Sequence, residues 1–207
     1  IDAKPVKLSA EQRTALRARQ RETEKAAEAE QKQKNDRAAR QAMHTWGKLA
    51  ATGASAYLER KGVGAFGVKF SPSGALAVPM ADTHGRIHGL QIIRPDKKNG
   101  RDKDFWPAGL AKKGHFHIVG GLSSAAGAVI LLAEGYATAA SLHMATGLPV
   151  VVAFDAGNLG PVAAAIHGKY KLARLLICAD DDYLTDGNPG VTHASNAALA
   201  VAGAWVA

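Results

Sequence analysis

The sequence predicts an α/β architecture: a parallel sheet flanked by helices over residues 121–207, preceded by a small basic α+β subdomain over 54–120 and a long charged helical segment or linker over 1–53. Three observations predict it. From Ala10 to about Ala51 the chain has no proline and only Gly47 as a breaker, amid many Ala, Arg, Glu, Gln and Lys. Over residues 55–120 glycines punctuate short β-type runs. Beyond them, nearly continuous apolar runs alternate with helical patterns, as strands covered on both faces of a parallel sheet require.

Ser9 followed by Gln12 is a capping box that starts the first helix, which a break near Asn35 would divide. Its apolar positions sustain no heptad. Only the end, with Ala39, Ala42, Met43, Trp46 and Leu49, repeats at the spacing that buries a face, so the first part projects and the second docks. "ALAVPMADTHGRIHGLQIIRP" reads as two strands joined by a turn at Asp82 to Gly85, followed by a basic loop, "DKKNGRDKD". Then come strand "AVILLA", helix "YATAASLHMATG", strand "LPVVVAF", a helix around "LGPVAAAIHGKY", strand "ARLLICAD" and helix "THASNAALAVAGA". "GGLSSAAG" precedes a strand instead of following one, so it is no dinucleotide fingerprint, and there is no Walker-type lysine motif.

Length and composition bound the function. With 207 residues, 47% hydrophobic and 21% charged, the chain can bury a real core, which excludes a disordered tail. No apolar run suffices to span a bilayer, so a soluble cytoplasmic protein without a membrane partner is expected. The single cysteine, Cys178, rules out an intrachain disulfide and a multi-cysteine zinc ribbon, and fits a reducing compartment. The chain opens at Ile1 without a signal-like pattern and stops at Ala207 after an apolar run. It reads as a piece of a longer protein, truncated within its last domain.

A net charge of +8 points to a polyanionic partner. The distribution sharpens this. Basic residues dominate from Arg60 to Lys113, including Lys97, Lys98, Arg101, Lys103, Lys112 and Lys113, whereas from residue 121 acids take over. Such a juxtaposition can hold a phosphate chain beside a cation-binding carboxylate cluster. In parallel sheets ligands lie at the carboxyl ends of the strands. There the sequence places Glu134-Gly135, then Asp155, then Asp180-Asp181-Asp182. Strand alternation would point Asp180 and Asp182 the same way. Three consecutive acids repel unless a cation or a basic group neutralises them, and an open carboxylate rim suits Mg²⁺, which also takes phosphate oxygens. Asp155 reads as a helix cap, Asp181 as a turn residue and Asp186 as a loop residue. His115 and His117 alternate on a strand without a third ligand, which argues against zinc.

A strand ending in Glu-Gly followed by one ending in Asp-x-Asp resembles the Toprim domain shared by DnaG-type primases, topoisomerases, OLD-type nucleases and RecR-like proteins. "EGYATAAS" resembles the EGYATA motif of primases from conjugative plasmids and satellite phages. The segment "LAVPMADTHGRIHGLQIIRPD" with "KDFWPAGLAKKGHFHIVGG" resembles the basic subdomain that precedes Toprim in primase catalytic cores. The resemblance spans about Ala54 to Ala207. It implies that Asp180 and Asp182 are a metal-binding pair and Glu134 the invariant acid, as metal ligand or general base. It places Lys103 and Lys112 or Lys113 among the basic residues near the site. Thr138 stands where replicative primases often carry an Asp.

The expectation is therefore a DNA primase catalytic core that copies single-stranded DNA template into RNA primers from nucleoside triphosphates with Mg²⁺ or Mn²⁺. Its setting would be a bacterial plasmid or phage, with helicase or relaxase domains on the same polypeptide. Phe105 and Trp106 are candidate base-stacking platforms or core residues. A Toprim nuclease or topoisomerase, or a non-catalytic DNA-binding replication module, is the alternative.

Overall fold

The computed structural model describes residues 9–98, 100–122 and 127–207. Residues 123–126 of "GGLSSAAG" lie outside that range, as do residues 1–8. Helix α1 runs unbroken over Ala10–Lys48. Its capping box forms as expected: Ser9 Oγ accepts the Gln12 N–H at 3.1 Å and Gln12 Oε1 accepts the Ser9 N–H at 2.9 Å, satisfying two donors that a helix start leaves over. The helix is exposed until it reaches the sheet, where Ala38, Ala39 and Ala42 are buried. Methyl side chains allow a close approach to β3. Trp46 and Leu49 are half-buried, but Met43, expected on the docking face, is exposed because it falls at the margin of the alanine strip.

After α2 (Ala56–Lys61) an antiparallel sheet forms from β1 (Lys69–Phe70), β2 (Leu76–Ala81), β3 (Ile87–Lys98) and β4 (Arg101–Trp106), in that order. The β2–β3 turn lies where expected, with the Gly85 N–H bonded to the Asp82 carbonyl at 3.0 Å and Gly85 at φ +82. The basic segment that follows is not a loop. Asp96–Lys98 continue β3, Arg101–Trp106 return as β4, and Lys98 pairs with Arg101. Charged residues are tolerated in β4 because it is an edge strand with side chains in water, where charge also blocks stray strand pairing. Asn99 and the Lys98 side chain lie outside the described residues.

The second sheet has the order β5 (His117–Val119), β7 (Val150–Val152), β6 (Val129–Ala133), β8 (Arg174–Cys178), β9 (Ala204–Val206). The three expected strands, β6, β7 and β8, are parallel, and β9 adds a fourth that the sequence reading passed over. β5 is antiparallel to β7, so the sheet is mostly and not wholly parallel, and a strand from the 54–120 segment belongs to it. On one face Leu131, Ala133, Val150 and Val152 meet α3 (Tyr136–Thr146) together with Leu76, Val78, Met80 and Ile93 of the first sheet. On the other, Ile130, Leu132, Val151, Leu175 and Ile177 meet α4 (Leu159–Lys169) and α5 (Pro189–Ala200). Burial on both faces is what makes these runs continuously apolar, and each fully buried aliphatic side chain contributes about 1.5–3 kcal/mol.

Two buried polar side chains tie the loop before β1 to this core. Tyr136 Oη donates to the Gly64 carbonyl at 2.9 Å and accepts the Phe66 N–H at 2.7 Å, and burial pushes its pKa up to about 12. His117 Nε2 donates to the Phe66 carbonyl at 2.8 Å, and burial lowers its pKa to about 4. Among the described residues no helix is long and apolar enough to cross a membrane.

Candidate active site

The parallel register sets Ala133 beside both Val152 and Cys178, so the chain leaves β6, β7 and β8 at one edge of the sheet. Glu134 follows β6 directly, Asp155 lies just past β7, and Asp180 follows β8 by one residue. Because β8 ends at Cys178, strand alternation does not orient Asp180 and Asp182. Asn188 pins the loop at Asp181 and Asp182 instead. Asn188 Oδ1 accepts the Asp182 N–H at 3.0 Å, while Asn188 Nδ2 donates to Asp181 Oδ1 at 2.8 Å. Asp181 thus has the turn role expected of it. Gly190, at the start of α5, lies so close that a Cβ there would overlap the Asp180 carbonyl.

The carboxylates converge electrostatically. Burial raises the pKa of Glu134, and the charges of Asp180, Asp155 and Asp182 raise it further, against an opposing hydrogen bond from the Ala156 N–H. Burial also raises Asp180, with Asp182 adding to the effect and Lys103 opposing it. Glu134 and Asp180 are half-buried and Asp182 is exposed, so the group forms a rim open to solvent. Cys178, buried beneath it, has its thiol pKa raised by burial, as suits an inert core residue.

The antiparallel sheet supplies the facing wall. Lys103 pairs with Ile93 and Phe105 with Gln91, which puts both side chains on the face toward the carboxylates. Lys103 Nζ lies 5.8 Å from the Tyr57 ring centre, and the Phe105 ring meets Phe154 edge-on at 6.2 Å. Lys112 pairs with Asp155 and lies 5.1 Å from the Phe105 ring centre, and Lys113 is exposed on the next position. Lys97 and Arg101 do not join this wall. Lys97 lines a groove of about 590 Å³ with Arg94, Ile92 and Trp106, between the end of α1 and the opposite face of the sheet. Arg101 is exposed at the hairpin end of β4. Phe105 and Trp106, adjacent in the strand, therefore point to opposite faces and cannot form one platform.

Sequence reading missed Tyr136 and Asn158. The first stands inside the "EGYATA" run, directly after Glu134-Gly135, where its position alone was a signal. The second has none, since two of its three side-chain partners, Gly114 and His115, are remote in sequence.

As placed, no three His, Cys, Asp or Glu side chains among the described residues are set to hold one ion. The donor set still fits a hard divalent cation. It offers only oxygens, and a cation there would relieve the repulsion that adds to burial in raising Glu134 and Asp180.

Residues 129–206 match the family model of the Toprim domain. The chain is 37% identical over 208 residues to DNA primase TraC of Escherichia coli, covering 97% of this chain and 18% of that protein. A second Escherichia coli protein of the same name is 40% identical over 154 residues, 71% of this chain and 10% of the relative. The chain thus spans a small part of the length of the curated relatives it matches. Among solved structures, that of the DnaG primase catalytic domain bound to ssDNA superposes with a TM-score of 0.51 at 15% identity, covering 83% of this chain and 70% of that one. At that identity the likeness shows a shared fold.

Proposed function

With residues 129–206 a Toprim domain and the chain sharing the fold of the DnaG primase catalytic domain, we propose that this protein is a DNA primase catalytic core. It would synthesise RNA primers from nucleoside triphosphates on single-stranded DNA. The observation that carries the reading is the gathering of Glu134, Asp180 and Asp182 at the carboxyl ends of parallel strands, opposite Lys103 and Lys112 on a second wall.

Asp180, Asp182 and Glu134 would hold Mg²⁺ or Mn²⁺, which lowers the pKa of an attacking 3′-hydroxyl and neutralises triphosphate charge. Glu134 acts there as ligand or as proton acceptor. Lys103 and Lys112 bind phosphate oxygens of the incoming nucleotide, and Phe105, 39% exposed on the same face, offers a ring for base stacking. Lys97, Lys98, Arg101 and Lys113 contribute to a sequence-independent hold on the template backbone. A cytoplasmic setting and helicase or relaxase partners on a longer polypeptide belong to the same proposal.

Primer synthesis from labelled ribonucleotides on single-stranded template tests the reading. Template-dependent RNA products that require divalent cation and disappear in Asp180→Ala support it. Cleavage of DNA with no RNA product would overturn it in favour of a nuclease.

A further inference from the structure

The turn after β7 carries three residues, Phe154, Asp155 and Asn158, to which the primase reading gives no role. Phe154 has φ +75, a left-handed conformation that a bulky residue adopts only under tertiary constraint, and such strain gathers at functional sites. Asp155 then divides its carboxylate between two tasks. Oδ1 caps the short 3₁₀ turn by accepting the Asn158 N–H at 3.1 Å, and Oδ2 holds the Lys112 ammonium. Asn158 is 2% exposed. Its Oδ1 accepts the Gly114 N–H at 2.8 Å, and its Nδ2 donates to the carbonyls of His115 at 3.0 Å and Ala153 at 2.8 Å. One buried amide thus fastens the loop carrying Lys112 to the strand end carrying Asp155.

We propose that Asp155 and Asn158 are positioning residues for Lys112, holding its ammonium at the carboxylate rim to receive the phosphates of a nucleoside triphosphate. The inference rests on the primase reading. A lysine side chain is flexible, and fixing it before the ligand arrives removes an ordering cost from binding. An ammonium has three donors and Asp155 takes one, so donors remain for phosphate oxygens. The pair is also half-open to solvent, with the Lys112 and Asp155 side chains 40% and 32% exposed, so the triphosphate has access to it. Asp155 neutralised in this way adds less repulsion to Glu134 than a bare carboxylate would.

The test is a double-mutant cycle on the full chain with ATP and Mg²⁺ as the probe, read as a dissociation constant. Asp155→Asn keeps a side-chain oxygen for the cap and removes the charge. It should weaken ATP binding about five- to tenfold, as should Lys112→Ala, and the double variant should be no weaker than Lys112→Ala alone, the mark of two residues acting as one unit. In primer synthesis Asp155→Asn should raise KM for ribonucleotide and leave kcat within about twofold. If thermal melts show Asp155→Asn unfolded, Asp155→Ser provides the same cycle. Equal weakening by Asp155→Asn in both backgrounds, no weakening at all, or a loss in kcat at constant KM would overturn the positioning role while leaving the primase reading standing. No ATP binding by the unaltered chain would remove both.

Discussion

His117 offers a stability test that is independent of catalysis. It is 5% exposed, and its ring N–H is committed to the Phe66 carbonyl at 2.8 Å. Burial is the dominant cause that lowers its pKa from 6.5 to about 4, with the hydrogen bond from its ring opposing. Between these two values the unfolded chain binds a proton at this position and the folded chain does not. Acid therefore favours the unfolded state. The contribution is fully present above pH 6.5, declines as the pH falls to about 4, and levels off below. A gap of about 2.5 units at 1.36 kcal/mol each makes the loss about 3 kcal/mol. Urea unfolding of the parent and of His117→Gln, from about pH 8 to about pH 4, isolates it. Gln retains a donor for Phe66 but does not titrate, so the parent should lose about 3 kcal/mol more than the variant across that window. Parallel pH profiles for the two proteins would refute a buried neutral His117.

Three further outcomes are expected. Asp180→Ala and Asp182→Ala should each cut primer synthesis about a hundredfold or more with melting temperatures near the parent's, since even groups behind a metal ligand are worth 10–100-fold; near-parental rates would refute the site. Replacing Lys97, Lys98, Arg101 and Lys103 together by Ala should weaken single-stranded DNA binding and flatten its dependence on log salt by at most about 3 units. The structure separates Lys97 from Lys103, so single replacements should be unequal, with Lys103→Ala alone also weakening nucleotide binding. Tyr136→Phe should destabilise the chain by about 1–3 kcal/mol in urea, because it leaves the buried Phe66 N–H and Gly64 carbonyl without their shared partner.

What the sequence made legible was whatever depends on local pattern. The runs around β6, β7 and β8 are apolar because both faces are covered, and the acids at their ends are visible because a parallel sheet gathers its carboxyl termini. The capping box at Ser9 is a four-residue signature and reads directly. The elements that escaped depend on distant partners. β4 consists largely of charged residues with little strand preference, and only its pairing to β3 makes it a strand. β9 is three exposed residues that β8 recruits. β5 reads as a strand, but its sheet is chosen by β7, more than thirty residues on. For the same reason the opposed directions of Phe105 and Trp106 follow only once the register of β4 is known.

Helix α1 is a lever. Its 39 residues span about 58 Å at 1.5 Å per residue, yet its buried residues lie only between Ala38 and Ala42. Ala10 is about 42 Å from that fulcrum, so a tilt of about 10° there would swing the far end by about 7 Å with almost no rearrangement of the body. Alanine methyls make a shallow bearing, steadied on either side by the Asp36–Arg86 ion pair at 3.7 Å and by Lys69 donating to the Trp46 carbonyl at 2.9 Å. One bulkier residue at Ala38 or Ala42 would re-aim the whole arm.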